Sequence, residues 1–233
     1  MQDFELIDQA GQPWRLTDTL QEGAVVLVFY RGDWCSYCNG QLATMAREYG
    51  DYLRRGATIT AVTIDPPEQN AAMVQKLALP FPVLADPGGA RVMTSAGVWD
   101  DEGKMAKPAI VVVAPDGNEV YRYVGVDFMD RPGDEEVLAA LDGLGLPPID
   151  ASLEPVPHLP PVPGPRAVQL SDLGAYMRGV RFAMQAMAAR ARDAWDLAEA
   201  ERTGKMAERY VAAQGATRRV TADRVASGSG AAP

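Results

Sequence analysis

The apolar positions of this chain change period several times, and each change marks an element. Residues 4–7 and 14–16 read as short strands on either side of the turn-forming Gln9-Ala10-Gly11. Residues 24–30, Ala-Val-Val-Leu-Val-Phe-Tyr, are apolar throughout, as in a strand covered on both faces. From 38 to 55 the pattern predicts a helix. A strand rich in β-branched residues follows at 58–65. A helix over 66–79 opens with Pro66-Pro67, a residue type suited to a first turn. A short strand at 81–84 and a short helix at 89–96 come next. A hairpin of 110–113 and 119–124 crosses Pro115-Asp116-Gly117-Asn118, and a helix at 134–144 completes the series. Strands interleaved with helices predict one α/β domain over 1–146, a central mixed sheet flanked by helices.

Periodicity stops at 147–165. Eight prolines in this stretch forbid helix and sheet and favour extended geometry, as a semi-rigid linker or a strap over the domain. Past it, Ser171-Asp172-Leu173 reads as a helix start. Tyr176, Val180, Ala183, Met184, Met187, Ala191, Trp195 and Ala198 then recur at spacings of three and four, one helical stripe. Met177, Met184 and Met187 read as gap-filling core residues. An unbroken helix to Ala213 would be about 60 Å long, more than one small domain can cover, so a break is expected at Gly204. Residues 166–213 are thus a helical extension. Residues 214–233, small and polar, are expected to be a disordered tail.

At 233 residues the chain can hold one full core and an appendage. No apolar run approaches the roughly 20 residues of a membrane span. Met1-Gln2-Asp3-Phe4-Glu5 lacks the basic start and apolar stretch of a secretory signal, so no membrane partner and a cytoplasmic location are expected. The net charge of −9 is uneven: residues 1–150 carry 23 acids against 11 bases, residues 151–233 carry 8 against 11. The acidic body argues against nucleic acid, and the mild basic excess reads as a solvated helix face. His158, the one histidine, lies in the Pro-rich stretch and reads as a bystander.

The chemistry concentrates in Phe29-Tyr30-Arg31-Gly32-Asp33-Trp34-Cys35-Ser36-Tyr37-Cys38, which holds the only two cysteines. Strand, turn, thiol pair and helix follow in that order. A thiol at a helix N-terminus meets free N–H groups and the positive end of the dipole, which favours its thiolate. One histidine and no third cysteine leave a four-ligand zinc site short of ligands. A dithiol/disulfide redox centre is the reading, with no cofactor required, and two inert core thiols are the alternative. In such a pair the first cysteine is the exposed nucleophile and the second resolves the mixed disulfide.

The segment F-Y-R-G-x-W-C-x-Y-C, with Thr63-Ile64-Asp65-Pro66 and Leu79-Pro80-Phe81-Pro82-Val83-Leu84-Ala85-Asp86-Pro87, resembles the peroxiredoxin-like alkyl hydroperoxide reductase/thiol-specific antioxidant family on a thioredoxin-like fold. The resemblance covers residues 1 to about 146. It departs from the family at informative places. In peroxiredoxin register, Pro, Thr and the peroxidatic cysteine become Arg31, Cys35 and Cys38. The peroxide-polarising Arg at the start of the hairpin strand becomes Pro108. Pro108 instead resembles the cis-proline that thioredoxins pack beside their C-x-x-C, and a trans proline opening a strand is the alternative. The buried Asp of thioredoxins, six residues before the first cysteine, is Phe29 here. Trp34 precedes Cys35 as in thioredoxins and either shields the thiols or packs on the surface. Arg31 either favours a thiolate and holds a peroxide oxygen or is a solvated loop residue. Tyr30 and Tyr37 flank the site.

The resemblance implies a thiol-dependent oxidoreductase that reduces a peroxide or a disulfide through a Cys35–Cys38 cycle. A thioredoxin-like or glutathione-like thiol would regenerate it. Helix-start logic favours Cys35 as the attacking thiol and peroxiredoxin register favours Cys38; for disulfide substrates the reading leans to Cys35. The alternative function is a non-catalytic assembly module built on the C-terminal helices, through which a homodimer could also form.

Overall fold

The computed structural model describes residues 1–89, 91–150 and 156–226. Strands β1 (Glu5–Asp8) and β2 (Pro13–Arg15) form the opening hairpin, and the single turn α1 (Leu16–Thr19) leads to β3 (Ala24–Phe29). Helices α2 (Ser36–Arg47) and α3 (Tyr49–Leu53) are followed by β4 (Ala57–Thr63), α4 (Pro67–Leu77) and β5 (Val83–Ala85). A small ribbon, β6 (Trp99–Asp100) with β7 (Met105–Ala106), precedes the hairpin of β8 (Ala109–Val113) and β9 (Glu119–Val124). Helix α5 (Asp134–Asp142) ends this part of the chain.

The seven-stranded sheet has the order β2-β1-β5-β4-β3-β8-β9. Its centre is parallel and its flanks antiparallel, the expected mixed sheet. Every residue of β3 is buried because helices cover one face and loops with the β6–β7 ribbon cover the other. Successive residues point to opposite faces. Val26 and Val28 therefore pack with Leu42, Met45 and Met73, while Val25, Leu27 and Phe29 pack with Leu16, Met93 and Val98.

Local chemistry explains the departures from the periodicity. The helix expected over 38–55 is two helices joined at Glu48, where the backbone leaves helical geometry. The helix expected over 89–96 is a series of turns. Asp86 takes the N–H groups of Arg91, Val92 and Met93 on its carboxylate, at 2.9–3.0 Å, so a side chain does what helix carbonyls would.

The Pro-rich segment is a strap. Three of its N–H groups find acceptors on the domain. Leu159 N–H donates to Gln9 O (2.9 Å), Val162 N–H to Glu68 O (3.0 Å) and Gly164 N–H to Asp33 Oδ2 (2.8 Å). Residues 151–155 of this segment lie outside the described residues.

Helices α6 (Leu170–Ala188) and α7 (Ala194–Ala226) run antiparallel, with Gln214 Nε2 bonded to Leu170 O (2.9 Å) and Arg181 facing Glu208 (3.7 Å). The turn falls at 189–193 and not at Gly204. Asp193 Oδ1 accepts from the N–H groups of Trp195 and Asp196, both at 2.9 Å, and so caps α7, while Gly204 stays helical opposite Met184. Residues 214–226, expected to be disordered, continue α7, with Gln214 and Thr217 buried. The rest of the expected tail, 227–233, lies outside the described residues. Helix α6 begins one residue before Ser171, without a side-chain cap. It turns Leu173 and Met177 inward and leaves Tyr176 and Met187 exposed, so the buried stripe is offset from the one read in the sequence. Among the described residues no helix is long and apolar enough to cross a membrane.

Candidate active site

Strand β3 delivers the chain to the thiols. Gly32 follows with φ +147°, and a Cβ there would lie 2.7 Å from Trp34 Nε1, so only glycine fits. Asp33 N–H donates to Asp65 Oδ2 (2.9 Å), and the Asn39 side-chain amide donates to the carbonyls of Asp33 and Cys35, both at 2.9 Å. This network sets Cys35 as the N-cap of α2, its Sγ accepting from Cys38 N–H at 3.4 Å. The two thiols thus meet one turn apart at the positive end of α2.

Both are buried, Cys35 at 4 % exposure and Cys38 at 0 %. The loop between β9 and α5 brings in a residue the sequence did not single out. Arg131, itself buried, places Nη2 3.3 Å from Cys38 Sγ and 3.2 Å from Phe128 O, and Nη1 2.6 Å from Gln41 Oε1. Burial pushes the Cys38 thiol up. The hydrogen bond from Cys35, the Arg131 guanidinium and the Arg31 backbone N–H outweigh burial and hold Cys38 well below the ordinary thiol range. Cys35 moves the opposite way, because its proton is shared toward Cys38 and burial disfavours a second charge. These influences favour the negative charge on Cys38 over Cys35. The helix-start argument favours a thiolate on Cys35; the buried Arg131 guanidinium favours one on Cys38.

The other expected residues sit around this pair in unequal roles. The Tyr30 hydroxyl donates to Asn70 Oδ1 (3.3 Å) and faces α4. The Arg31 guanidinium stacks over Trp34 (4.8 Å) and Phe128 (5.5 Å), and Arg31 reaches Cys38 through its backbone. Trp34 carries Arg31 and, from the turn just past the strap, Arg166 at 5.0 Å. Tyr37 meets Phe128 and Tyr176 edge-on, at 5.6 and 6.0 Å. The expectation of a cis bond before Pro108 fails: no peptide bond among the described residues is cis. Pro108 stands just before β8 in the ordinary trans form, its carbonyl taken by Gly125 N–H at 2.8 Å, and trans is the lower-energy isomer by about 0.5–1 kcal/mol. Arg131 left no motif to find, since it lies 93 residues from Cys38.

Beneath the strap lies a second charged group. Burial, with Asp33 alongside, pushes the Asp65 carboxyl up to about 7. Burial pulls Lys76 down to about 8 against the attraction of Asp33 and Asp65, and its ammonium donates to Val168 O (2.9 Å), just before α6. A carboxyl raised in the fold contributes stability at low pH that is lost as pH rises through about 7. Asparagine mimics the neutral acid. Asp65→Asn should therefore gain on the wild type by about 1 kcal/mol or more between pH 5 and pH 8, each pKa unit being about 1.4 kcal/mol. Urea unfolding at the two pH values measures this; a pH-independent difference would contradict the assignment.

A mixed sheet with a C-x-x-C opening the helix after its central strand defines a thioredoxin-like redox fold. The chain belongs to the AhpC/TSA family, whose model matches residues 1–122. It is 33 % identical over 85 residues to thiol-disulfide oxidoreductase ResA of Geobacillus thermodenitrificans, covering 36 % of this chain and 48 % of that protein. It is 28 % identical over 100 residues to the selenocysteine-containing peroxiredoxin PrxU of Peptoclostridium acidaminophilum, covering 40 % and 49 %. The chain thus spans about half the length of these two relatives. Among solved structures, peroxidoxin BcpB of Mycobacterium tuberculosis superposes with a TM-score of 0.57 at 26 % identity, covering 62 % of this chain and 94 % of the other. Arg131, the strap and the helical hairpin all lie beyond the segment that the family model matches.

Proposed function

We propose that the chain is a thiol peroxidase in which Cys38 attacks and Cys35 resolves. The observation that carries this reading is the Arg131 guanidinium on Cys38 Sγ in a pocket of no solvent exposure. A fixed cation beside a dry thiolate can also stabilise the charge that moves onto a peroxide oxygen. The Cys38 sulfur attacks the O–O bond; an S–O bond forms, the O–O bond breaks, and the leaving oxygen departs as an alcohol or water after taking a proton. Cys38 is then a sulfenic acid. The Cys35 sulfur displaces that oxygen, which leaves as water with the Cys35 proton, and the Cys35–Cys38 disulfide forms. Two equivalents of an external thiol reduce the disulfide through a mixed disulfide and leave as their own disulfide. The redox names of the relatives favour chemistry over a purely architectural role.

Disulfide reduction starting at Cys35 is the second reading, favoured by its slightly greater exposure and by the name of the ResA relative. Single-cysteine variants separate the two. With hydrogen peroxide, Cys35→Ser should accumulate a trappable sulfenic acid on Cys38 and form no intramolecular disulfide, while Cys38→Ser should react about 10²-fold slower or less. Sulfenic acid on Cys35 of the Cys38→Ser protein, formed as fast as in the wild type, would reverse the assignment.

A further inference from the structure

The end of the strap and the turn that follows it, residues 164–168, lie on the loop that carries the thiols. One residue of that loop holds both ends of the segment. Gly164 N–H donates to Asp33 Oδ2 (2.8 Å) and Val168 N–H to Asp33 O (3.2 Å). Between them Ala167 N–H closes a turn on Gly164 O (3.0 Å), and the Arg166 guanidinium lies over the Trp34 ring at 5.0 Å. Lys76 Nζ also donates to Val168 O (2.9 Å). Asp33 and Trp34 are the two residues before Cys35, so the segment is fixed to the backbone that aims the first thiol.

Two residues past Val168, helix α6 begins. Its Leu173 and Met177 are buried in the apolar cluster that contains both cysteines. Its Tyr176 meets Tyr37, which stands between the cysteines in sequence, at 6.0 Å. The segment thus pins the start of a helix whose inner face covers the thiol pair. Cover and chemistry conflict, because thiol exchange needs a thiolate to reach one sulfur of the disulfide. Cys35 is 4 % exposed and Cys38 not at all. A small thiol needs only a narrow opening, whereas a folded protein has to bring its own surface against Cys35. None of residues 164–168 is buried, and a few polar surface contacts give way more readily than a packed apolar face.

We propose that residues 164–168 are a latch that selects the thiol partner: closed on Asp33 and Trp34, it admits small thiols to the Cys35–Cys38 disulfide and excludes protein thiols, which react only once it is released. The latch rests on the redox cycle proposed above and adds a gate to its reductive half. The gated step is thiol exchange. The first thiolate of a dithiol bonds to Cys35 Sγ, the Cys35–Cys38 bond breaks, and Cys38 leaves with the electron pair. The second thiolate displaces Cys35, which leaves as a thiolate, and the dithiol departs as its own disulfide.

Two substitutions release the latch without touching the thiols or Arg131. A Cβ at Gly164 would lie 2.8 Å from Asp33 Oδ2 and 2.5 Å from Gln69 Nε2, so Gly164→Ala pushes the segment off Asp33. Arg166→Ala removes the cation from Trp34. The full chain, oxidised with diamide, is reduced by dithiothreitol and by a reduced thioredoxin, and the disulfide is followed by intact mass after alkylation. In the Gly164→Ala/Arg166→Ala protein the thioredoxin rate divided by the dithiothreitol rate should rise about tenfold or more over the wild type, the effect of one or two lost contacts on an opening equilibrium. Arg166→Ala alone should give part of that rise, and Arg166→Lys, which keeps a cation at Trp34, little of it. An unchanged ratio in the double variant would overturn the latch, whether both reductants gain equally or neither gains. The reduced protein gives a second reading that needs no disulfide: alkylation by N-ethylmaleimide against a maleimide carried on a long polyethylene glycol. The double variant should gain on the bulky reagent more than on the small one, and equal rates of gain would count against the latch. Failure of diamide to form the Cys35–Cys38 disulfide would overturn the redox cycle, and the alkylation ratio would still decide whether 164–168 screens the thiols by size. Slow oxidation by hydrogen peroxide would overturn the peroxidase reading alone and leave both ratios valid.

Discussion

Replacing Arg131 with methionine should strip Cys38 of its thiolate at neutral pH and slow oxidation by hydrogen peroxide about 10²–10³-fold, the usual cost of deleting one donor aimed at reacting charge. Methionine keeps most of the length and apolar stem of arginine, so the loop between β9 and α5 keeps much of its packing. What it removes is the positive charge and the 3.3 Å contact to Cys38 Sγ. Burial then dominates the Cys38 thiol, and its pKa should rise above the ordinary value of about 8.5. Thiolate absorbance followed against pH reads this directly, and it separates electrostatics from misfolding because the thiol still titrates. Arg131→Lys should recover part of the rate, since it restores the charge without the fork that also reaches Gln41. A Cys38 that remains ionised at pH 7 in the methionine variant would mean that Cys35 and the Arg31 amide suffice, and the role given to Arg131 would be lost.

The second large effect belongs to Gly40. On an isolated helix, Gly→Ala gains roughly 1 kcal/mol. Here the added Cβ would lie 2.3 Å from Tyr210 Cδ2 and 2.9 Å from Tyr210 Cβ, too deep into the side chain for a rotamer change to relieve. Helix α7 must move off α2. Gly40→Ala should therefore lose about 1–3 kcal/mol, the range of overpacked cores. It should also make the thiols react with iodoacetamide about tenfold faster or more, because their cover is displaced. Unfolding by urea gives the first number and mass-detected alkylation the second. A Gly40→Ala protein more stable than the wild type would show that α7 does not sit on α2.

The sheet was legible because apolar runs such as 24–30 and the turn Pro115-Asp116-Gly117-Asn118 leave few other solutions. The thiol pair was legible because two cysteines, three apart after a strand, place themselves. Two kinds of feature were not. Side chains that replace backbone partners, such as Asp86 at 91–93 and Asp193 at the start of α7, move element boundaries without changing periodicity. Contacts between distant segments, such as Arg131 with Cys38, depend on how loops cross once the sheet exists. The lean to Cys35 weighed only the helix dipole, a partial charge. The structure adds a whole charge, Arg131, 3.3 Å from the other sulfur. Pro108 was read through a resemblance where the backbone has the ordinary isomer.

The cover over the thiols is made last. Helix α2 belongs to the first fifth of the chain, while Tyr210 and Gln214, which bring α7 down onto α2 and α6, come near its end. A ribosome adding about 5–20 residues per second reaches them roughly 9–35 s after Cys38. For that interval the nascent dithiol stands without the hairpin that later hides it. The order of synthesis gives each molecule one early period in which its redox state is set by the surroundings rather than by its own fold.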